Sequence, residues 1–141
     1  MIEFRDSTAQ DQPQILAWTL ADPYHGHQAE YSGPGWWLTN AAGSLLAFCL
    51  KDERGPLSYV RIDAEGEYIR IHIQFAPESE VSKRRLIAGL ITGLRAIRKF
   101  YESFGVKGMI FNSVSPTLIA FMERQGFKSV GSDDYRLDFE G

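Results

Sequence analysis

The sequence predicts an α+β domain: a mixed central sheet with helices packed on both of its faces. Three observations carry this. Ile69, Ile71 and Ile73 alternate with Arg70, His72 and Gln74, the period of a half-buried strand. Leu86, Leu90, Leu94, Ile97, Tyr101 and Phe104 then recur at spacings of four and three, the period of an amphipathic helix. Residues 106–114 follow as an apolar stretch that reads as a second strand. A strand, a long helix and another strand form a right-handed crossover, which makes those two strands parallel. The strands around the crossover are joined by short turns and are expected to pair antiparallel, so the sheet is mixed.

Taken in order, Asp6, Ser7 and Thr8 are capping residues ahead of a helix running to Ala21. Ile15, Leu16 and Trp18 share one face of it, and Pro13 fits only near its first turn. Residues 22–35 mix proline, glycine, histidine and aromatics with neither period, which predicts an irregular loop or a short helix with a turn. A loop of about a dozen structureless residues is uncommon in a compact domain, which points to a task for it. Strands are predicted over 36–40, 45–51, 57–62 and 67–75, separated by turn chemistry at 41–43, 52–55 and 63–66. The long helix spans 82–104 and stops at Gly105. Ala88, Gly89, Thr92, Gly93 and Ala96 form a small-residue side that lets it approach a sheet closely. Ser115 caps a second, short helix with Pro116 at its first position and Gly126 as its terminator. Strands over 127–130 and 135–139 close the chain.

With 141 residues, 44% apolar and 13% aromatic, the chain fits a single domain over 1–141, of a size that hides about 70% of its unfolded surface. Fifteen Lys plus Arg against eighteen Asp plus Glu leave a net charge of −3 and a pI near 5.6. No global positive field exists for a nucleic acid or an anionic membrane, neither is an expected partner, and any anion site is local. The apolar runs at 15–21 and 45–50 fall short of the roughly 18 residues of a spanning helix. The first residues lack the basic segment and apolar stretch of a secretory signal, so a cytoplasmic location is expected. A single cysteine, Cys49, excludes an intrachain disulfide and a cysteine zinc cage, and it reads as a small buried hydrophobe.

The segment Ser115-Pro-Thr-Leu-Ile-Ala-Phe-Met-Glu-Arg-Gln-Gly-Phe127 is similar to the late helix "N-x-x-A-x-x-x-Y-E-K-x-G-F" of one family. The opening Ile2-Glu-Phe-Arg-Asp6, with Asp11 further on, is similar to that family's first strand and helix. Together with the order of elements, the chain over nearly its whole length resembles the GNAT superfamily of acyl-CoA-dependent N-acyltransferases. The resemblance implies a GNAT-like fold and transfer of an acyl group from acetyl-CoA or another acyl-CoA to the amine of a small molecule or peptide. It implies direct attack by the amine, with neither a covalent enzyme intermediate nor a metal.

The same resemblance implies a cosubstrate wedge between the strands ending at Phe75 and Val114, with backbone near Ile73 and Phe75 on the pantetheine arm. It puts the phosphates at the start of the long helix, on Ser82, Lys83, Arg84, Arg85, Leu86 and Ile87, where a helix amino terminus leaves unpaired N–H donors. This stretch has no glycine at either glycine position of the family's loop, and Arg85 and Ile87 add side chains where backbone would approach a phosphate. Lys83, Arg84 and Arg85 crowd a helix start whose dipole disfavours positive charge by about 0.3 to 1 kcal/mol each, which an anion relieves. The alternative is a solvated basic turn offset by Glu78 and Glu80. The family's tyrosine position holds Met122, which leaves Tyr101, Tyr135 or water as proton donor. His72, on the strand flanking the family's cleft, is the candidate catalytic base, against the reading of a histidine on a polar strand face. A catalytically silent binding module of the same fold is the rival to an enzyme.

Other candidates carry less chemistry. His25 and His27, with Glu30, offer metal-ligand atoms at an unspecific loop spacing. Gly33-Pro34-Gly35 reads as a turn feeding the core, since proline removes a donor. Trp36 and Trp37, if on a strand, point to opposite faces, so one is exposed or covers a cleft or a homodimer contact.

Overall fold

The computed structural model describes residues 1–24 and 33–140. Its elements are β1 (Glu3–Arg5), α1 (Gln12–Ala21), β2 (Leu46–Asp52), β3 (Gly55–Glu65), β4 (Tyr68–Phe75), α2 (Lys83–Glu102), β5 (Gly108–Asn112), α3 (Pro116–Arg124), β6 (Lys128–Gly131) and β7 (Asp134–Asp138). The strands form one sheet in the order β1-β2-β3-β4-β5-β7-β6. All neighbours pair antiparallel except β4 and β5, which are parallel on either side of the α2 crossover. The mixed sheet expected from the short turns and the long crossover is the one observed.

The strand alternation decides which helix covers which face. Ile69 and Ile71 of β4, with Val60 and Ile62 of β3, meet Leu90, Leu94, Ile97 and Tyr101 of α2. The apolar stripe of α2 is thereby buried. On the other face Cys49 and Tyr59 pack with Ile15 and Trp18 of α1 and with Trp37. Cys49 is fully buried, and burial pushes its thiol up to about 11, in keeping with a packing role. The small-residue side of α2 is used selectively: a Cβ on Gly89 or Gly93 would sit 2.9 Å from Leu57 or Leu50, whereas Ala88 and Ala96 face solvent.

Caps fall where the sequence puts them. The Ser82 side chain accepts the Arg85 N–H, the Ser115 side chain accepts the Leu118 N–H, and Gly126 takes φ of 107° past the end of α3. The long helix ends at Glu102, two residues earlier than expected, and Phe104 stands exposed in the turn before Gly105 rather than on the buried stripe. The Gly105 and Val106 amides bond back to Glu102 and Tyr101, which closes the helix there. Pro13 lies in the first turn of α1 as expected, but a short 3-10 turn, Ala9–Asp11, precedes it.

The strand expected over 36–40 is absent. Pro34–Trp37 forms a 3-10 turn instead, entered through Gly33 at φ 63°. Its carbonyls are met by side chains: Arg61 Nη1 donates to the Trp36 oxygen at 2.8 Å and the Ser7 hydroxyl to the Trp37 oxygen at 2.7 Å. The two indoles therefore do not point to opposite sheet faces. Trp37 is buried, and Trp36 is half-buried, packed edge-on against Trp37 and His72 beneath the Arg61 guanidinium.

Candidate functional site

The parallel ladder between β4 and β5 is short: only Ile69 with Met109 and Arg70 with Ile110 are in register. Beyond that point β4 continues to Phe75 and β5 to Asn112 without pairing, so the two strands part like a fork. On the face opposite the α2 core, Arg70 grips Asp134 of β7 with both terminal nitrogens, at 2.8 and 2.9 Å, and the Asn112 amide joins Asp134 at 3.0 Å. This ties the base of the fork across β5. Arg70 holds the Asp134 carboxyl below its usual value.

A cleft of about 440 Å³ opens from the fork. Ile73 and Phe75 line it from β4, and Lys83, Leu86, Ile87 and Leu90 from α2. Ser113, Thr117, Leu118, Phe121 and Arg124 line it from β5 and α3. Trp18, Asp22 and Tyr24 close it at the end of α1. Its walls are mostly apolar, and among the described residues Lys83 and Arg124 are its only basic side chains. Past Arg70 the β5-facing backbone edge of β4 has no strand partner among the described residues, so peptide groups border the cleft alongside apolar side chains.

The sequence-predicted residues divide. Ile73, Phe75, Lys83, Leu86 and Ile87 line the cleft. Ser82 and Arg84 do not; Ser82 spends its side chain on the helix cap. Arg85 does not either, and its charge is not available as the basic cluster suggested. Its Nε and Nη2 donate to both oxygens of Asp52 at 2.8 and 2.7 Å, a bidentate pair fixing the start of α2 to the end of β2. That guanidinium, with the Arg54 and Gly55 amides, lowers the Asp52 carboxyl to about 2. The crowded cation is thus offset inside the chain.

His72 is not among the cleft side chains. It projects from the opposite face of β4, where Nε2 lies 3.1 Å from Asp63 and the ring meets Trp36. Burial pushes the imidazole below its usual value against the pull of Asp63, with Arg70 and Arg61 acting in the same direction as burial. Met122 is fully buried in the core beneath the sheet, and Tyr101 is buried there too. Tyr135 stacks on Phe111. None of these three borders the cleft. His25, His27 and Glu30 lie outside the described residues. Among the described residues no group of three His, Cys, Asp or Glu side chains is placed to hold a metal. Likewise no described helix is long and apolar enough to cross a membrane.

Trp18, Phe121 and Arg124 were missed as site residues. The available signal was helical spacing: Thr117, Phe121 and Arg124 recur at four and three, which places them on one face, while Met122 turns to the core.

No family model matches the chain, and no curated protein does. Solved structures do. An acetyltransferase of the GNAT family from Staphylococcus aureus superposes with a TM-score of 0.71 at 9% identity, covering 99% of this chain and 100% of that one. The PaiA N-acetyltransferase from Thermoplasma acidophilum, in complex with coenzyme A, gives 0.67 at 14% identity, with 98% of each chain covered. A GNAT family acetyltransferase from Brucella melitensis, in complex with acetyl-CoA, gives 0.58 at 15% identity over 100% of this chain and 90% of the other. Likeness at such identities is likeness of fold, and by its mixed seven-stranded sheet, its crossover helix and its parted central strands the chain has the GNAT fold.

Proposed function

We propose that the protein is an N-acyltransferase taking its acyl group from acetyl-CoA or another acyl-CoA and passing it to the amine of a small molecule or peptide. The observation that carries this reading is the fork: an unpaired edge of β4 borders an apolar cleft that runs to the amino terminus of α2. The residues suit such a ligand. Strand edge at Ile73 and Phe75 offers backbone donors and acceptors to an amide-bearing arm, Leu90, Leu118 and Phe121 cover its methylenes, and Lys83 meets negative charge at the helix start. The fit differs from the family's loop in lacking glycines, since Ile87 presents a side chain to the cleft. An acyl-CoA supplies, when bound, a thioester that an amine would open directly, with a C–N bond formed, a C–S bond broken, the amine proton passed through water and CoA leaving as its thiol. The chain's part is to hold both partners together and exclude water. His72 makes no contact with the cosubstrate in this reading.

Titration calorimetry with acetyl-CoA and longer acyl-CoAs is expected to give saturable binding, and thiol release in the presence of primary amines is expected to follow. Absence of binding at millimolar acyl-CoA overturns the proposal. The rival, ligand binding without transfer, is favoured by one observation: the family's tyrosine position is Met122, fully buried and unable to donate a proton. Binding with no thiol release from any amine tested would support that rival.

A further inference from the structure

An amine that displaces a thiol from a thioester leaves negative charge on sulfur, and a donor held at that atom stabilises the charge as it develops. No tyrosine of α3 can give one here: Met122 is fully buried, and neither Tyr101 nor Tyr135 borders the cleft. Among the described residues five hydroxyl-bearing side chains do border it, namely Tyr24, Ser79, Ser113, Ser115 and Thr117. Tyr24, Ser79 and Thr117 are exposed, and Ser115 is half-buried with its oxygen accepting the Leu118 N–H. Ser113 alone is buried. It directly follows β5, and four residues on from the register pair Ile69 and Met109 it comes level with Ile73, across the gap between the parted strands. Both side chains line the cleft. Two bonds fix the serine in place: its N–H donates to the Asp133 carbonyl at 3.0 Å, and its Oγ accepts the Ser115 N–H at 3.0 Å. A serine hydroxyl that accepts in this way still has its own proton to give. Among the described residues no acceptor takes that proton.

We infer that the Ser113 hydroxyl is a catalytic residue, the hydrogen-bond donor to the sulfur of the cosubstrate as it departs, supplied from the β5 prong of the fork. The inference rests on the acyl-CoA reading and adds Ser113 to it. As the amine nitrogen bonds to the thioester carbon, the C–S electron pair passes to sulfur and the Ser113 O–H bonds to it. Serine keeps its proton, because its hydroxyl is far less acidic than a thiol. The proton of the amine reaches the sulfur through water, and CoA leaves as its thiol. The Ser115 N–H on Oγ polarises the hydroxyl and strengthens its donation. A donor fixed by the chain on two sides needs no reorganisation when the charge appears.

The test is titration calorimetry of the full chain and its Ser113→Ala variant at about pH 9 with CoA and with desulfo-CoA, in which hydrogen replaces the thiol. Near this pH a thiol ionises, so bound CoA stands in for the departing thiolate. Ser113→Ala is expected to lose about 10- to 100-fold in affinity for CoA, the range for a hydrogen bond to a charged group, and to bind desulfo-CoA as the parent does. Retained desulfo-CoA binding shows that the variant is still folded. If the parent and Ser113→Ala bind CoA equally well, the inference is overturned while the acyl-CoA reading stands. An equal loss for both ligands overturns it too, since that marks a structural role through the Ser115 N–H alone. If the parent binds neither CoA nor acetyl-CoA, that reading falls and the inference falls with it.

Discussion

Gly108→Ala is expected to destabilise the protein by at least about 3 kcal/mol, the upper end of what overpacking costs, and to lower its melting temperature by about 10 °C. Gly108 opens β5, paired with Asp138 of β7 and one residue before the first register pair with β4. A Cβ there would run into the carbonyl oxygen of Leu137, with the Asp138 Cα at 3.1 Å and the Tyr68 ring at 2.9 Å. The nearest obstacle is backbone held in a ladder, so no rotamer change relieves it. Relief requires β5 to move away from β7 at the base of the fork, next to the only two residues where it pairs with β4. Thermal unfolding followed by circular dichroism checks this. Gly89→Ala makes the contrast, since its new methyl would press on the far end of the Leu57 side chain, which can shift, and alanine gains helix propensity. A Gly108→Ala melting temperature equal to the parent's would refute the steric account.

Asp11→Ala is expected to lower stability by about 2 kcal/mol, because it takes a nearly buried carboxylate away from the half-exposed Arg5 and from the Thr8 and Tyr59 donors. Asp11 lies at the end of the 3-10 turn, and four donors converge on its carboxylate. Arg5 supplies two, at 2.8 and 2.9 Å, the Thr8 amide one at 2.8 Å and the Tyr59 hydroxyl one at 2.9 Å. Together they join β1, the entry to α1 and β3 under the Ile15 and Trp18 core. The Arg5 guanidinium, followed by the Thr8 amide and the Tyr59 hydroxyl, lowers the carboxyl from 3.8 to about 2, against the opposing effect of burial. The unfolded chain therefore binds the proton more tightly than the folded one. This contribution is fully present above pH 4 and is lost as pH falls through 2; it is worth on the order of 2 kcal/mol. Asp52, also at about 2, and Asp134 and Glu65, both lowered by Arg70, act in the same direction. Urea unfolding of the parent is expected to weaken steeply between pH 4 and 2, and Asp11→Asn is expected to flatten part of that slope. An unchanged acid limb in Asp11→Asn would show that this carboxylate is not a source of it.

Much of the cleft was readable because its walls belong to regular elements. Alternation announces β4 and an apolar stripe announces α2, and it was the resemblance that implied Ile73 and Phe75 of the one and Lys83, Leu86 and Ile87 of the other as cleft residues. The misassigned elements are those whose partners lie far along the chain. Trp36 and Trp37 look like strand residues from their neighbours alone, but Ser7 and Arg61 capture their carbonyls and leave no strand to form. His72 has the residue type of a base and the position of a strand residue, yet Asp63 and Trp36 hold it away from the cleft.

By itself the sequence determined the order and type of nearly every element, the parallel crossover at its centre and the resemblance to one superfamily. Periodicity, caps and turn residues act between close neighbours in the chain, and those were on view. Only the tertiary structure decided where β4 and β5 cease to pair, and so where a cleft opens, and which of the basic residues retain their charge for it. Lys83 and Arg85 are two positions apart, but Asp52, 33 residues before Arg85, neutralises the second and leaves the first to the cleft, where Arg124 of another helix joins it. Such pairings depend on distances in space, and spacing along the chain does not encode them.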